Sequence, residues 1–347
     1  MRKRRRLLLV TVSILIVALC AAHVVSPWPT VWLIRFVFEK GAEQASASTE
    51  PFVPQGVRIE RDVRYGSEPD ERFDVFTPPN PSAAMPAVLW VHGGGFVAGA
   101  RTDLTNYLQV LAARGFVTIA IGYSRAPEAR FPTPVQQTND ALAYVYANAE
   151  RFGIDRNRLF LAGDSAGAQI AAQSALAISD PSYAKRIGIE PGLAPKVLRA
   201  VVLFCGPHDP IGRQPPWYMR PYIRTIVWSY MGTRDFENPR VKQLAVAPHV
   251  TADFPPSFIS VGNNDPLAPQ SIELARALRA AGAEVGTLFF PEDHEPPLGH
   301  EYQMYLSLPQ ARLALDAYVE FLNARSRSEP AQEVSNPQIP PMTGRPF

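Results

Sequence analysis

A serine with glycines two residues to either side, Gly163-Asp164-Ser165-Ala166-Gly167, has the makings of a nucleophile. A hydroxyl is weak at its own pKa. It needs a base to take its proton, a group to orient that base, and donors for the oxyanion that forms. Small flanks suit a strained strand-to-helix turn, although glycine and serine are common enough to make an ordinary turn as well. A second stretch, "VLWVHGGGFVAG", ends a strand-like run at His92 and continues into Gly93-Gly94-Gly95. Three glycines let backbone N–H groups face a pocket with no side chain in the way. Either stretch alone is a modest signal; their joint occurrence is far more specific.

Such groups work only if elements bring them together. "PAVLWVH", "GFVTIAIGY", "RLFLAG", "RAVVLFCG" and "SFISVG" are short continuous apolar runs, as expected of strands buried on both faces of a parallel sheet. "EVGTLFF" adds another strand. Helical patterns fall between them at Leu104 to Ala113, Val135 to Ala149, Ala166 to Ile178 and Ser271 to Ala281, with a closing helix over Ala311 to Leu322. "GVRIERDVRYG" and "ERFDVFTPP" alternate instead and read as an antiparallel edge. The expectation is a doubly wound α/β sheet of about eight strands covered by helices, as one domain over 56–325. Residues 207–247 interrupt the alternation with "PPWYMRPYIRTIVWSYMG", either a lid or pocket-wall insertion or a core helix with a long approach. Residues 326–347 lack an apolar period, are rich in proline and read as a disordered tail.

"HGGGF", "YSRAPEARFPTPVQQTNDAL" and "GDSAGA" together resemble the α/β-hydrolase superfamily, specifically the hormone-sensitive-lipase-like esterases. The resemblance runs from about Pro86 to Ala177 and more loosely to about residue 325. It implies a serine carboxylesterase or lipase with a Ser-Asp-His triad, and an oxyanion hole on the N–H groups of Gly94, Gly95 and Ala166. One departure is Ala168, where the family usually has glycine.

In that fold the acid and the histidine follow the serine in chain order. "SFISVGNNDPLAP" places Asp265 just past a late strand, with Asp209 as the competing acid. "LFFPEDHEPPLGHEYQMYL" offers His300 and His294; His300 is preferred because Gly299-His300 leads toward the last helix, as family histidines do. His92 opens the loop and either binds substrate or, the preferred reading, holds the glycines by a local hydrogen bond. No cofactor or metal is implied, since "HEPPLGHE" has the wrong spacing for a zinc helix and two prolines that forbid one.

Composition sets the remaining bounds. The net charge of +2 and the confinement of the main basic cluster to the N-terminus give no case for nucleic acid. Cys20 and Cys205 imply no disulfide framework. Arg2-Lys3-Arg4-Arg5-Arg6 precedes Leu7 to Val25, which as a helix spans about 28 Å, close to a bilayer core. Residues 1–25 therefore read as a signal-anchor with the rest of the chain extracytoplasmic, or as a cleaved signal peptide. "TVWLIRFVFEKG" fits a helix lying on the bilayer or one packed on the domain, and 41–55 reads as a linker. The expected activity is hydrolysis of small to medium acyl esters. A lipase or a polysaccharide-directed acetyl or feruloyl-type esterase is the alternative, and a non-catalytic scaffold a remote one.

Overall fold

The computed structural model describes residue 11 and residues 22–82, 84–209 and 217–327. The alternating runs form β1 (Arg58–Arg64) and β2 (Arg72–Thr77). The continuous apolar runs form β3 (Met85–Val91), β4 (Val117–Ile121), β5 (Ile154–Asp164), β6 (Leu198–Phe204), β7 (Ser257–Val261) and β8 (Val285–Phe289). They make one eight-stranded sheet in the order β1-β2-β4-β3-β5-β6-β7-β8. The β1/β2 and β2/β4 pairs are antiparallel and the others parallel. The α/β expectation and its antiparallel edge are both met.

Burial on two faces explains the apolar runs. Along β3, Leu89 and Val91 enter one apolar layer, while Val88 and Trp90 enter the other. Helices cover both layers: α1 (Trp28–Thr49), α2 (Thr105–Ala112), α3 (Thr133–Ala147), α4 (Ala166–Ser179), α5 (Pro181–Ile187), α6 (Arg220–Met231), α7 (Pro239–Lys242), α8 (Ala268–Ala280) and α9 (Pro309–Ser326). β3 lies beside β5, so the glycine loop and the serine turn emerge next to each other at one end of the sheet.

The N-terminal region departs from the reading of residues 41–55 as a linker. Residues 41–49 continue α1 without a break, because Ala, Glu and Gln are good helix formers. Small side chains also let this half of α1 lie close against the body. Asn106 Nδ2 donates to Ser46, and Thr49 Oγ1 donates to the Met304 carbonyl at 2.9 Å. The first half packs on the domain too, through Val31 and Ile34. Most of Leu7 to Val25, proposed as an anchor, lies outside the described residues, as does the tail beyond 327. Among the described residues, no helix is long and apolar enough to cross a membrane.

Candidate active site

Ser165 sits between β5 and α4 with φ 50° and ψ −122°, a conformation an L-residue adopts only under constraint. Close approach explains its two glycines. A Cβ on Gly163 would lie 2.5 Å from the Gly167 backbone, and one on Gly167 would lie 2.1 Å from the Val91 carbonyl oxygen. Thus the turn closes only with glycine at both places. Ala168 is fully buried and sits opposite Gly206, so the extra methyl is accommodated.

The loops after β7 and β8 deliver the other two groups. His300 Nε2 lies 2.8 Å from Ser165 Oγ, and His300 Nδ1 lies 2.8 Å from Asp265 Oδ2. The other Asp265 oxygen accepts the Leu267 N–H at 2.8 Å, which fixes the carboxylate plane. Asp209 is not the partner of this imidazole, and His294 is elsewhere, against Phe290 and 3.2 Å from Gln310 Nε2. Burial works against a charged His300. The Cys205 sulfur and the Asp265 hydrogen bond work for it, and the net direction is upward from the ordinary histidine value.

The glycine loop faces the serine turn. Gly94 and Gly95 have φ of 118° and 58°, and a Cβ on Gly94 would meet the Ala98 carbonyl oxygen at 2.2 Å. Among the described residues, no hydrogen bond engages the N–H of Gly94 or Gly95. Ala166 opens α4, so its N–H also lacks an intrahelical acceptor. His92 is buried, points Nδ1 at the Gly93 carbonyl at 2.7 Å and stacks on Tyr123. Burial lowers its pKa to about 4, leaving it neutral and fit to brace the loop.

Three features of the site were not visible as such in the sequence. Asp164 accepts from the Gly93 N–H at 2.9 Å and from Trp90 Nε1 at 2.7 Å, which ties the serine turn to β3 and the glycine loop. Burial, and then the Glu301 carboxylate, push its pKa well up. Cys205 leaves β6 at φ 43° behind the imidazole, and burial pushes its thiol up to about 11. A Cys205 sulfur, an Asp265 oxygen and a His300 nitrogen lie within 4.8 Å of one another. Within this group the imidazole and the carboxylate are already hydrogen-bonded to each other, and the imidazole to Ser165. Last, Phe38 of α1 reaches the site and lines cavities on both sides of the glycine loop. A signal for α1 existed in its run of helix formers; none existed for the two tertiary contacts.

The cavity over Ser165 holds about 240 Å³ and is walled mainly by apolar side chains of α6, Tyr222, Ile223, Ile226 and Val227, with Leu244 opposite. The described part of 207–247 thus forms a pocket wall. A second cavity of about 250 Å³ lies between α1 and the glycine loop. The arrangement can deprotonate a hydroxyl and present N–H groups to a developing negative charge.

Comparison with known proteins bears on the fold and the family. A family model described as alpha/beta hydrolase fold matches residues 88–294. The chain is 31% identical over 286 residues to esterase LipC of Mycobacterium tuberculosis, covering 79% of this chain and 68% of that protein. It is 30% identical over 224 residues to ethyl acetate hydrolase of Pseudomonas putida, covering 62% of this chain and 68% of that one. Esterase B from Lactobacillus rhamnosis superposes with a TM-score of 0.75 at 23% identity, covering 84% of this chain and 95% of that one. The chain belongs to the α/β-hydrolase family, in its hormone-sensitive-lipase-like branch.

Proposed function

We propose that the protein is a serine carboxylesterase that hydrolyses small to medium acyl esters through an acyl-enzyme on Ser165. The supporting observation is the continuous chain Ser165–His300–Asp265, two contacts of 2.8 Å ending on a buried carboxylate. His300 takes the Ser165 proton as Oγ attacks the ester carbonyl. Gly94, Gly95 and Ala166 N–H groups receive the oxyanion, and Asp265 holds the imidazole and stabilises its charged form. The proton on Nε2 then passes to the departing alkoxide. Water repeats the sequence on the acyl-enzyme and frees the acid. The names of the relatives, both of them ester hydrolases, support the same reaction. A cavity of about 240 Å³ favours short and medium acyl groups over long ones.

Ser165→Ala tests this reading: both ester hydrolysis and labelling by a serine-directed phosphonate are lost. Retention of either one overturns it. The finer reading of location is that Leu7 to Val25 anchors the chain, with the catalytic domain extracytoplasmic. It is supported by the length of that apolar run and by the five basic residues before it.

A further inference from the structure

Helix α1 is apolar on two faces, and only one is covered by the protein. Val31, Ile34 and Phe38 turn toward the body, with Ile34 7% exposed. Trp32, Leu33, Phe36 and Val37 share the opposite side at helical spacing and are 65%, 62%, 60% and 58% exposed. The same outer side becomes polar after Val37, where Lys40 and Glu43 pair at 2.8 Å. Exposed apolar surface is therefore confined to the half of α1 nearer the chain's N-terminal run. It continues backward through Val24 and Val25, 64% and 78% exposed.

The order of these segments selects the occupant. Only Ser26 and Pro27 separate the end of the apolar run Leu7 to Val25 from α1. The three steps from Val25 to Trp28 reach at most about 11 Å, so a chain leaving a bilayer at Val25 starts α1 within the headgroup region. The exposed Trp32 falls near that level, where indole rings prefer to sit, while Trp28 packs on the body beneath Arg35. A surface for a second copy has no reason to end where the polar half begins; a helix leaving an interface for water does. Val37 also lines the cavity between α1 and the glycine loop, so the apolar stripe borders the site. Beyond it Met219 lines the catalytic cavity, directly after the exposed Trp217 and Tyr218.

We infer that the outer face of α1 from Trp32 to Val37 docks on the lipid bilayer and turns the active-site mouth toward it, so that esters dissolved in the membrane surface are substrates. This rests on the esterase and anchor readings above.

The test uses the full chain reconstituted into phosphatidylcholine–phosphatidylglycerol vesicles, with Cys20→Ser as background. A fluorophore is placed singly through Leu33→Cys, Phe36→Cys, Lys40→Cys and Glu43→Cys, and is quenched by brominated acyl chains. Positions 33 and 36 are expected to be quenched several-fold more than 40 and 43. Equal quenching at all four, or self-quenching between labelled copies in place of lipid quenching, overturns the proposal. In parallel, Trp32→Ser, Leu33→Ser and Phe36→Ser are combined. Hydrolysis of a vesicle-dispersed ester is expected to fall several-fold relative to that of a water-soluble short ester. An unchanged ratio overturns the proposal. Labels lying in water while soluble esters are cleaved would remove the docking surface alone. Loss of all hydrolysis in the unaltered chain would instead remove the esterase reading.

Discussion

The carboxyl groups of Asp164 and Glu301 meet beside the amide of Gly93, one from the residue before the nucleophile candidate and one from the residue after the histidine. Two carboxyls in hydrogen-bond contact need a proton between them. Asp164 holds its proton above the usual carboxyl range, so at this group the folded chain keeps a proton that the unfolded chain releases as pH rises from about 3.9. The contribution of this group to stability is therefore full below about 3.9 and is lost as pH rises through the raised value. Glu301→Gln removes the second charge and supplies a neutral donor. The fall in Tm from acidic to alkaline pH should shrink by at least ~2 °C in the variant. An unchanged fall would mean that no proton is shared.

His300 and His294 compete for one role, and the contacts to Ser165 and Asp265 favour His300. His300→Ala and Asp265→Asn are each expected to lower kcat by about 10³ or more. His294→Ala should leave kcat near the wild-type value. Steady-state kinetics on one soluble ester would reverse the assignment if the His294 variant were the inactive one.

A base works only when unprotonated, and the surroundings of His300 favour its proton. The acid limb of kcat/KM should accordingly have its midpoint above the ordinary histidine value of about 6.5. A midpoint at or below that value would contradict the balance of charges described for the imidazole.

Gly167 packs against backbone, not against a movable side chain. Gly167→Ala should therefore destabilise the fold by about 2 kcal/mol or more in denaturant unfolding. A neutral result would mean that α4 can retreat from β3.

Ile226 lines the cavity over Ser165 and approaches the Gly95 position. Ile226→Trp should shift the kcat/KM ratio toward acetate and away from hexanoate esters by about tenfold. An unaltered ratio would place the acyl chain in another cavity.

Much of this arrangement was legible in the chain because it depends on local physics. Strands buried on both faces must be continuously apolar, and β3 to β7 read that way. Gly163 is needed for a steric reason that acts within five residues, its close approach to Gly167, whereas Gly167 is needed because β3 lies against it. Asp265 and His300 were reachable through chain order in a resembling family, whereas their contact is a property of two loops that only the folded sheet brings together. Glu301 and Cys205 gave no signal, since pairing with Asp164 or backing an imidazole leaves no pattern along the sequence. Residues 41–49 misled for a different reason: small polar side chains suit a loose connection, but they also let a helix lie close against its neighbours.

Arg35 gives that helix a second meaning. Its guanidinium donates to the Val97 carbonyl at 2.7 Å, to the Ala126 carbonyl at 3.2 Å and to both Glu128 oxygens. Val97 in turn donates its N–H to the Gly94 carbonyl at 3.2 Å. A strut thus runs from α1 to the glycine loop that shares a cavity with Ser165. Trimming the chain to begin at β1 would take away more than a covering: it would unclamp the glycines beside an intact Ser165.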